Sequence, residues 1–156
     1  MSEEFLSTMI DKKDDEFLGQ NIKGLMMTLI AHWNARMDDA RAETEFATVR
    51  PSDIRVFAQL RGRTVKLSAI HREMGFTRQA AQQAVDRLVA QEMISVLPDP
   101  DSGRDKVVSI TEKGQRWRSI AAESIRTIES EIAETVGNEA RELLRQTLID
   151  LLRGSS

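Results

Sequence analysis

From about Asp15 to Glu45, apolar side chains return every three or four residues: Leu18, Ile22, Leu25, Met26, Leu29, Ile30, Trp33, Met37 and Ala40. That spacing marks one face of an α-helix, and neither glycine nor proline interrupts the chain between Gly24 and Pro51. About 30 helical residues would span roughly 45 Å at 1.5 Å each. A globule of 156 residues is narrower than that, so part of the stripe is expected to lie against something else. A second copy of the chain is the economical candidate.

The middle of the chain is cut into short pieces. Pro51 suits the first turn of a helix, which Ile54, Val56, Phe57 and Leu60 continue until Gly62. A second helix is expected from Val65 to Met74, with Leu67 and Ile70 on its apolar side and Gly75 as its C-cap. Thr77 can then cap the next helix, Arg78 to Gln91, whose stripe is Ala81, Ala84, Val85, Leu88 and Val89. Ending one helix at Gly75 and opening another at Thr77 is the spacing of a helix-turn-helix. Two β-favouring runs follow, Ile94 to Leu97 and Val107 to Ile110, joined by the turn-rich segment Pro98-Asp-Pro-Asp-Ser-Gly-Arg-Asp-Lys. They read as a hairpin with a polar tip. Trp117, Ile120, Ala121, Ile125, Ile128, Ile132 and Val136 mark a further helix that breaks at Gly137-Asn138, and Ala140, Leu143, Leu144, Leu148, Leu151 and Leu152 mark the last.

Composition removes several functions. With no cysteine and only His32 and His71, the chain has no thiolate nucleophile, no disulfide framework and no cysteine zinc site. It also lacks a Gly-rich phosphate loop, a His-Glu-x-x-His helix and a Gly-x-Ser-x-Gly elbow. The carboxylate pairs Asp14-Asp15 and Asp38-Asp39 are adjacent, so on a helix they point different ways. The expectation is a non-enzyme without cofactor or metal. No apolar run reaches the roughly 18 residues of a membrane span, and the acidic start Met1-Ser-Glu-Glu is unlike a signal peptide. A cytoplasmic protein is expected.

The net charge of −3 conceals a gradient: −5 over residues 1–45, +4 over 46–116 and −2 over 117–156. A basic middle between acidic flanks can meet a polyanion locally. The helix from Arg78 sets its apolar stripe against a polar set of Arg78, Gln79, Gln82, Gln83, Asp86 and Arg87. Glutamine can bond bidentately to adenine and arginine to guanine, and such a helix fits the major groove. Thr77, Arg78, Gln79, Gln82, Gln83 and Arg87 are therefore the candidate DNA-binding residues of this helix, against the plainer reading of a solvated amphipathic face. At the hairpin tip Arg104 and Lys106 join them. Just after a helix-turn-helix, a basic β-ribbon fits a wing that reaches the minor groove.

Three stretches resemble the middle helices of the MarR (multiple antibiotic resistance regulator) transcription factors. They are Val49-Arg-Pro-Ser-Asp-Ile-Arg-Val-Phe, Leu67-Ser-Ala-Ile-His-Arg-Glu-Met-Gly-Phe-Thr-Arg-Gln-Ala and Val85-Asp-Arg-Leu-Val. Asp99-Pro-Asp-Ser-Gly-Arg-Asp-Lys-Val-Val-Ser-Ile-Thr-Glu-Lys-Gly resembles their wing and is the most specific match. The motifs cover residues 49–116; residues 15–48 and 117–153 match by helix order and length. The resemblance implies a mainly α winged helix-turn-helix with long N- and C-terminal dimerisation helices. It implies a homodimer that binds double-stranded DNA carrying an inverted repeat, with a wing arginine, here Arg104, in the minor groove. It further implies a repressor released by a small aromatic or amphipathic effector.

Three positions depart from the family pattern. Ser102 stands where the wing aspartate precedes the arginine, Glu92 replaces the glycine after the recognition helix, and His71 replaces a small alanine. For His71 local repacking competes with a role facing the ligand. Met26 and Trp33, with His32, Arg36 and Arg55 to greet an anionic group, are the effector candidates, although dimer, core or surface roles suit each. The rival from another class is a helical protein–protein interaction module that has lost DNA binding.

Overall fold

The computed structural model describes residues 12–73 and 77–155. The chain divides into two compact units, residues 1–39 and residues 40–156. In the first lie α1 (Lys12–Gln20) and most of α2 (Ile22–Ala42). The single helix expected from Asp15 to Glu45 is thus broken at Asn21. The Asn21 Oδ1 accepts from the Gly24 N–H at 2.8 Å, and its Nδ2 donates to the Leu18 carbonyl at 2.8 Å. One side chain thereby serves the end of α1 and the start of α2, supplying partners that a continuous helix would find in its own backbone. Phe17, Leu18, Ile22 and Leu25 stay exposed.

α2 ends at Ala42 because its last turn is unwound by side chains. The Thr44 hydroxyl donates to the Arg41 carbonyl at 2.7 Å and accepts from the Phe46 N–H at 3.1 Å. Arg41 is itself buried, its Nη1 donating to the carbonyls of Phe46 and Val49. Phe46 is thereby set into the core, 5.4 Å from the Trp117 ring.

Then come α3 (Pro51–Gln59), β1 (Val65–Lys66), α4 (Leu67–Glu73), α5 (Arg78–Ala90), β2 (Ile94–Pro98), β3 (Lys106–Ile110), α6 (Glu112–Val136) and α7 (Asn138–Gly154). This is a mainly α chain with one small antiparallel sheet in the order β1-β3-β2. The helix expected from Val65 begins two residues late. Val65 and Lys66 are instead extended and pair with Val108 and Val107, giving the hairpin a third strand. Two residues are too few to show a period-2 pattern, so this strand left no mark in the sequence. Met74 and Gly75, the latter expected to cap α4, lie outside the described residues.

The core joins Val56 and Phe57 of α3 and Leu60 just after it, Ile70 of α4, Val85 and Leu88 of α5, Val108 of β3 and Trp117 of α6. Helix α6 opens on Thr111, whose Oγ1 accepts from the Gly114 N–H at 3.1 Å. A Cβ on Gly114 would stand 2.3 Å from the Met93 carbonyl oxygen. Only glycine lets the start of α6 press this closely on the turn after α5.

That turn has no glycine of its own. The Met93 N–H reaches the Leu88 carbonyl at 3.0 Å and the Glu92 N–H reaches that of Val89 at 2.9 Å. These two bonds are the Schellman pattern, and they hold Glu92 at φ +59°.

Candidate nucleic-acid interface

Helix α5 starts as its sequence asks. The Thr77 Oγ1 accepts from the Ala80 N–H at 3.1 Å, so this hydroxyl is engaged as the N-cap. Ala81, Ala84, Val85 and Leu88 are buried, and α5 packs on α3, α4 and β2. The small residues bring the helix close to its neighbours. Its other side leaves Arg78, Gln79, Gln83 and Asp86 exposed. Arg78 has no ion-pair partner among the described residues.

Besides the capping Thr77, two more of the six candidates here, Arg87 and Gln82, are tied to the protein itself. The Arg87 Nε and Nη2 donate to the Asp53 carboxylate of α3 at 2.8 and 2.7 Å. The Asp53 side chain is 3% exposed and that of Arg87 35%. A bidentate pair of this kind orients the guanidinium, and the bond to Asp53 raises the Arg87 pKa above its ordinary value. Arg87 thus clamps α5 to α3. Gln82 is half-buried, with its Oε1 3.0 Å from the His71 Nε2 and its Nε2 donating to Asp86 at 2.8 Å.

The wing is held by residues whose roles the sequence did not disclose. Asp99 is buried, and its carboxylate accepts from the Asp101 N–H at 2.9 Å and lies 3.7 Å from the Lys66 Nζ. Asp105 accepts from its neighbour, the Lys106 N–H, and from the Ser68 hydroxyl of α4 at 3.3 Å. Ser68 and His71 are three residues apart, hence on one helix face. That face of α4 touches the wing at one end and α5 at the other. Arg104 and Lys106 are exposed, and neither side chain has an ion pair among the described residues.

Among the effector candidates, Met26, Trp33 and Arg36 are half-buried on α2, His32 is exposed there, and Arg55 is exposed on α3. No group of three or more metal-ligating side chains occurs among the described residues. No described helix is long and apolar enough to cross a membrane.

Asp53, Ser68 and Asp99 were missed for a physical reason. An acid in a helix first turn, a serine opening a helix and an aspartate in a turn are ordinary local choices. Their long-range partners appear only once the chain is folded.

No family model matches the sequence, and no curated protein matches it either. The structure, by contrast, is similar to solved transcriptional regulators. Apo wild-type MarR from E. coli superposes with a TM-score of 0.68 at 14% identity, covering 85% of this chain and 97% of that one. FabT from Streptococcus pneumoniae, solved in complex with DNA, gives 0.71 at 12% identity over 86% of this chain and 94% of that one. A MarR family transcriptional regulator from Silicibacter pomeroyi gives 0.69 at 17% identity, with 89% and 92% covered. The fold is the winged helix of these regulators.

Proposed function

We propose that this chain is a DNA-binding transcriptional regulator of the MarR family, acting as a homodimer on an inverted repeat. In this reading residues 49–116 bind DNA, and the helices within 15–48 and 117–153 dimerise. The observation that carries it is the outer side of α5. There Arg78, Gln79 and Gln83 are exposed on a helix clamped from behind by Asp53, and the wing beside it carries Arg104 and Lys106 unpaired among the described residues. Free guanidinium and amide groups on a rigid helix suit base edges, and exposed wing cations suit phosphates and the minor groove. The dimer finds support in the bare leucines of α7, where Leu143 is 69% and Leu152 73% exposed. Repression relieved by a small aromatic or amphipathic effector follows from the resemblance, with Met26, His32, Trp33 and Arg36 on α2 and Arg55 on α3 as its candidate contacts.

Footprinting on the DNA flanking the protein's own gene tests the proposal. A protected palindrome is expected, its half-sites about one helical turn, roughly 34 Å, apart. Arg78→Ala should cost about 1–3 kcal/mol on that sequence and little on random DNA. Arg104→Ala should weaken binding more evenly, with extra loss at A·T-rich flanks. Lys106→Ala should lower the salt slope by about one unit. Wild-type-like binding by all three variants, or absence of a footprint, overturns it. Loss of operator affinity with a panel of aromatic compounds checks the effector.

A further inference from the structure

His71 is the side chain that neither the resemblance nor the general interface accounts for. It sits on α4, half-buried, with its Nε2 3.0 Å from the Gln82 Oε1 of α5. Gln82 in turn donates from its Nε2 to the Asp86 Oδ1 at 2.8 Å, one turn further along α5. The three groups fix one another's orientation. An ionised carboxylate only accepts, so the amide must turn its NH₂ to Asp86 and its oxygen to His71. The imidazole nitrogen facing that oxygen must then carry the hydrogen. The Gln82 amide, which would otherwise rotate freely, is held in one orientation by a donor at one end and an acceptor at the other.

On the functional reading above, we infer that His71 is a positioning residue for base recognition. It holds Gln82 so that the amide can read one adenine per half-site. A bidentate adenine contact needs one acceptor and one donor from the same amide. Gln82 keeps both: its oxygen has a second lone pair beyond the His71 bond, and its nitrogen a second hydrogen beyond the Asp86 bond. Holding the amide beforehand removes the cost of ordering a flexible side chain at the DNA. It also excludes the flipped amide, which would present donor and acceptor in the opposite order. An alanine at 71 could not do this, having no donor.

The test begins with duplexes selected from a randomised pool by the wild-type protein. Each base pair of the selected site is then varied and its affinity measured. His71→Ala and Gln82→Ala should each flatten the preference at the same A·T pair by about tenfold, a loss in the range for one bidentate contact. The double variant should lose no more than either single one, because the two residues act as a unit. His71→Gln, which restores a donor of similar reach, should recover most of the preference. A purely structural His71 would lower affinity for every sequence alike, and that result overturns the inference. So do additive losses in the double variant, or an unbound protein whose ¹⁵N spectrum puts the neutral His71 proton on Nδ1. If the wild type enriches no sequence at all, the DNA-binding reading falls and the role of His71 with it. If it enriches a site and His71→Ala keeps the wild-type profile, only the role of His71 falls.

Discussion

Helices α5 and α7 both carry an apolar stripe, over 13 and 17 residues, and the protein treats them in opposite ways. Of the five residues in the stripe of α5, Ala81, Ala84, Val85 and Leu88 are each at most 4% exposed, and Val89, at the end of the helix, is 40% exposed. α7 has no buried residue at all, and Leu143, Leu144, Leu151 and Leu152 are 43–73% exposed. A polar tie joins it to its neighbour α6, Arg145 donating to both Glu129 oxygens at 3.0 and 2.7 Å, while Leu148 and Ile149 are half-buried. That bond keeps the Glu129 carboxyl below its ordinary range. Small residues let α5 be absorbed into its own fold. Large leucines left bare beside a polar clamp suit a helix whose apolar face meets another surface.

The largest effect should therefore come from α7. Burying a leucine is worth about 1.5–3 kcal/mol, so two leucines on each of two copies amount to roughly 6–12 kcal/mol. Leu143→Asp with Leu151→Asp should convert a dimer into a monomer at micromolar concentration while far-UV helicity is largely kept. Light scattering decides it. A wild-type chain that is monomeric at that concentration would break the contrast between the helices altogether.

On α5 the same comparison predicts loss of stability rather than of assembly. Arg87→Ala strands the Asp53 carboxylate, whose side chain is 3% exposed, without its counter-charge. Removing one partner of a buried pair costs about 3–5 kcal/mol. Water reaches part of the Arg87 guanidinium, which discounts that to about 2–3 kcal/mol. Asp53→Ala should cost less, since the freed guanidinium can turn outward to solvent. Urea unfolding of both variants gives the ordering, and Asp53→Ala as the worse of the two would refute it.

How much of this was legible depended on how far each signal reaches along the chain. The Thr77 cap, the Gly137 break and the two hairpin strands are local, and the structure has them where the residues put them. The resemblance over residues 49–116 marked the wing and α5, because those segments carry their own turn chemistry. Strand β1 escaped because Val65 and Lys66 are extended only through pairing with Val108 and Val107. The break at Asn21 escaped because the apolar stripe runs straight through it. Among the candidate interface residues, Arg78, Gln79 and Gln83 could be picked out from helix periodicity. That Arg87 and Gln82 are held by Asp53 and His71 could not, because 34 and 11 residues of sequence separate the partners.

The smallest effect lies where α5 ends. Gly137, between α6 and α7, has φ +91° and ψ 158°, a conformation that is essentially glycine's alone. At the end of α5 the same kind of job falls to Glu92 at φ +59°, where its Cβ crowds the backbone. The strain is tolerated because the neighbours fix the turn. Met93 and Leu88 are both buried, and the Thr111 hydroxyl donates to the Glu92 carbonyl. Glu92→Gly removes the strain but also gives the unfolded chain more freedom, which works against folding. The left-handed cost of about 1–2 kcal/mol should exceed that entropy term, leaving a net gain of about 0.5–1 kcal/mol. The urea midpoint should rise with an unchanged slope. A fall would mean that the turn is held by its surroundings so firmly that the glutamate carries little strain. The contrast with Gly137 would then be one of sequence alone.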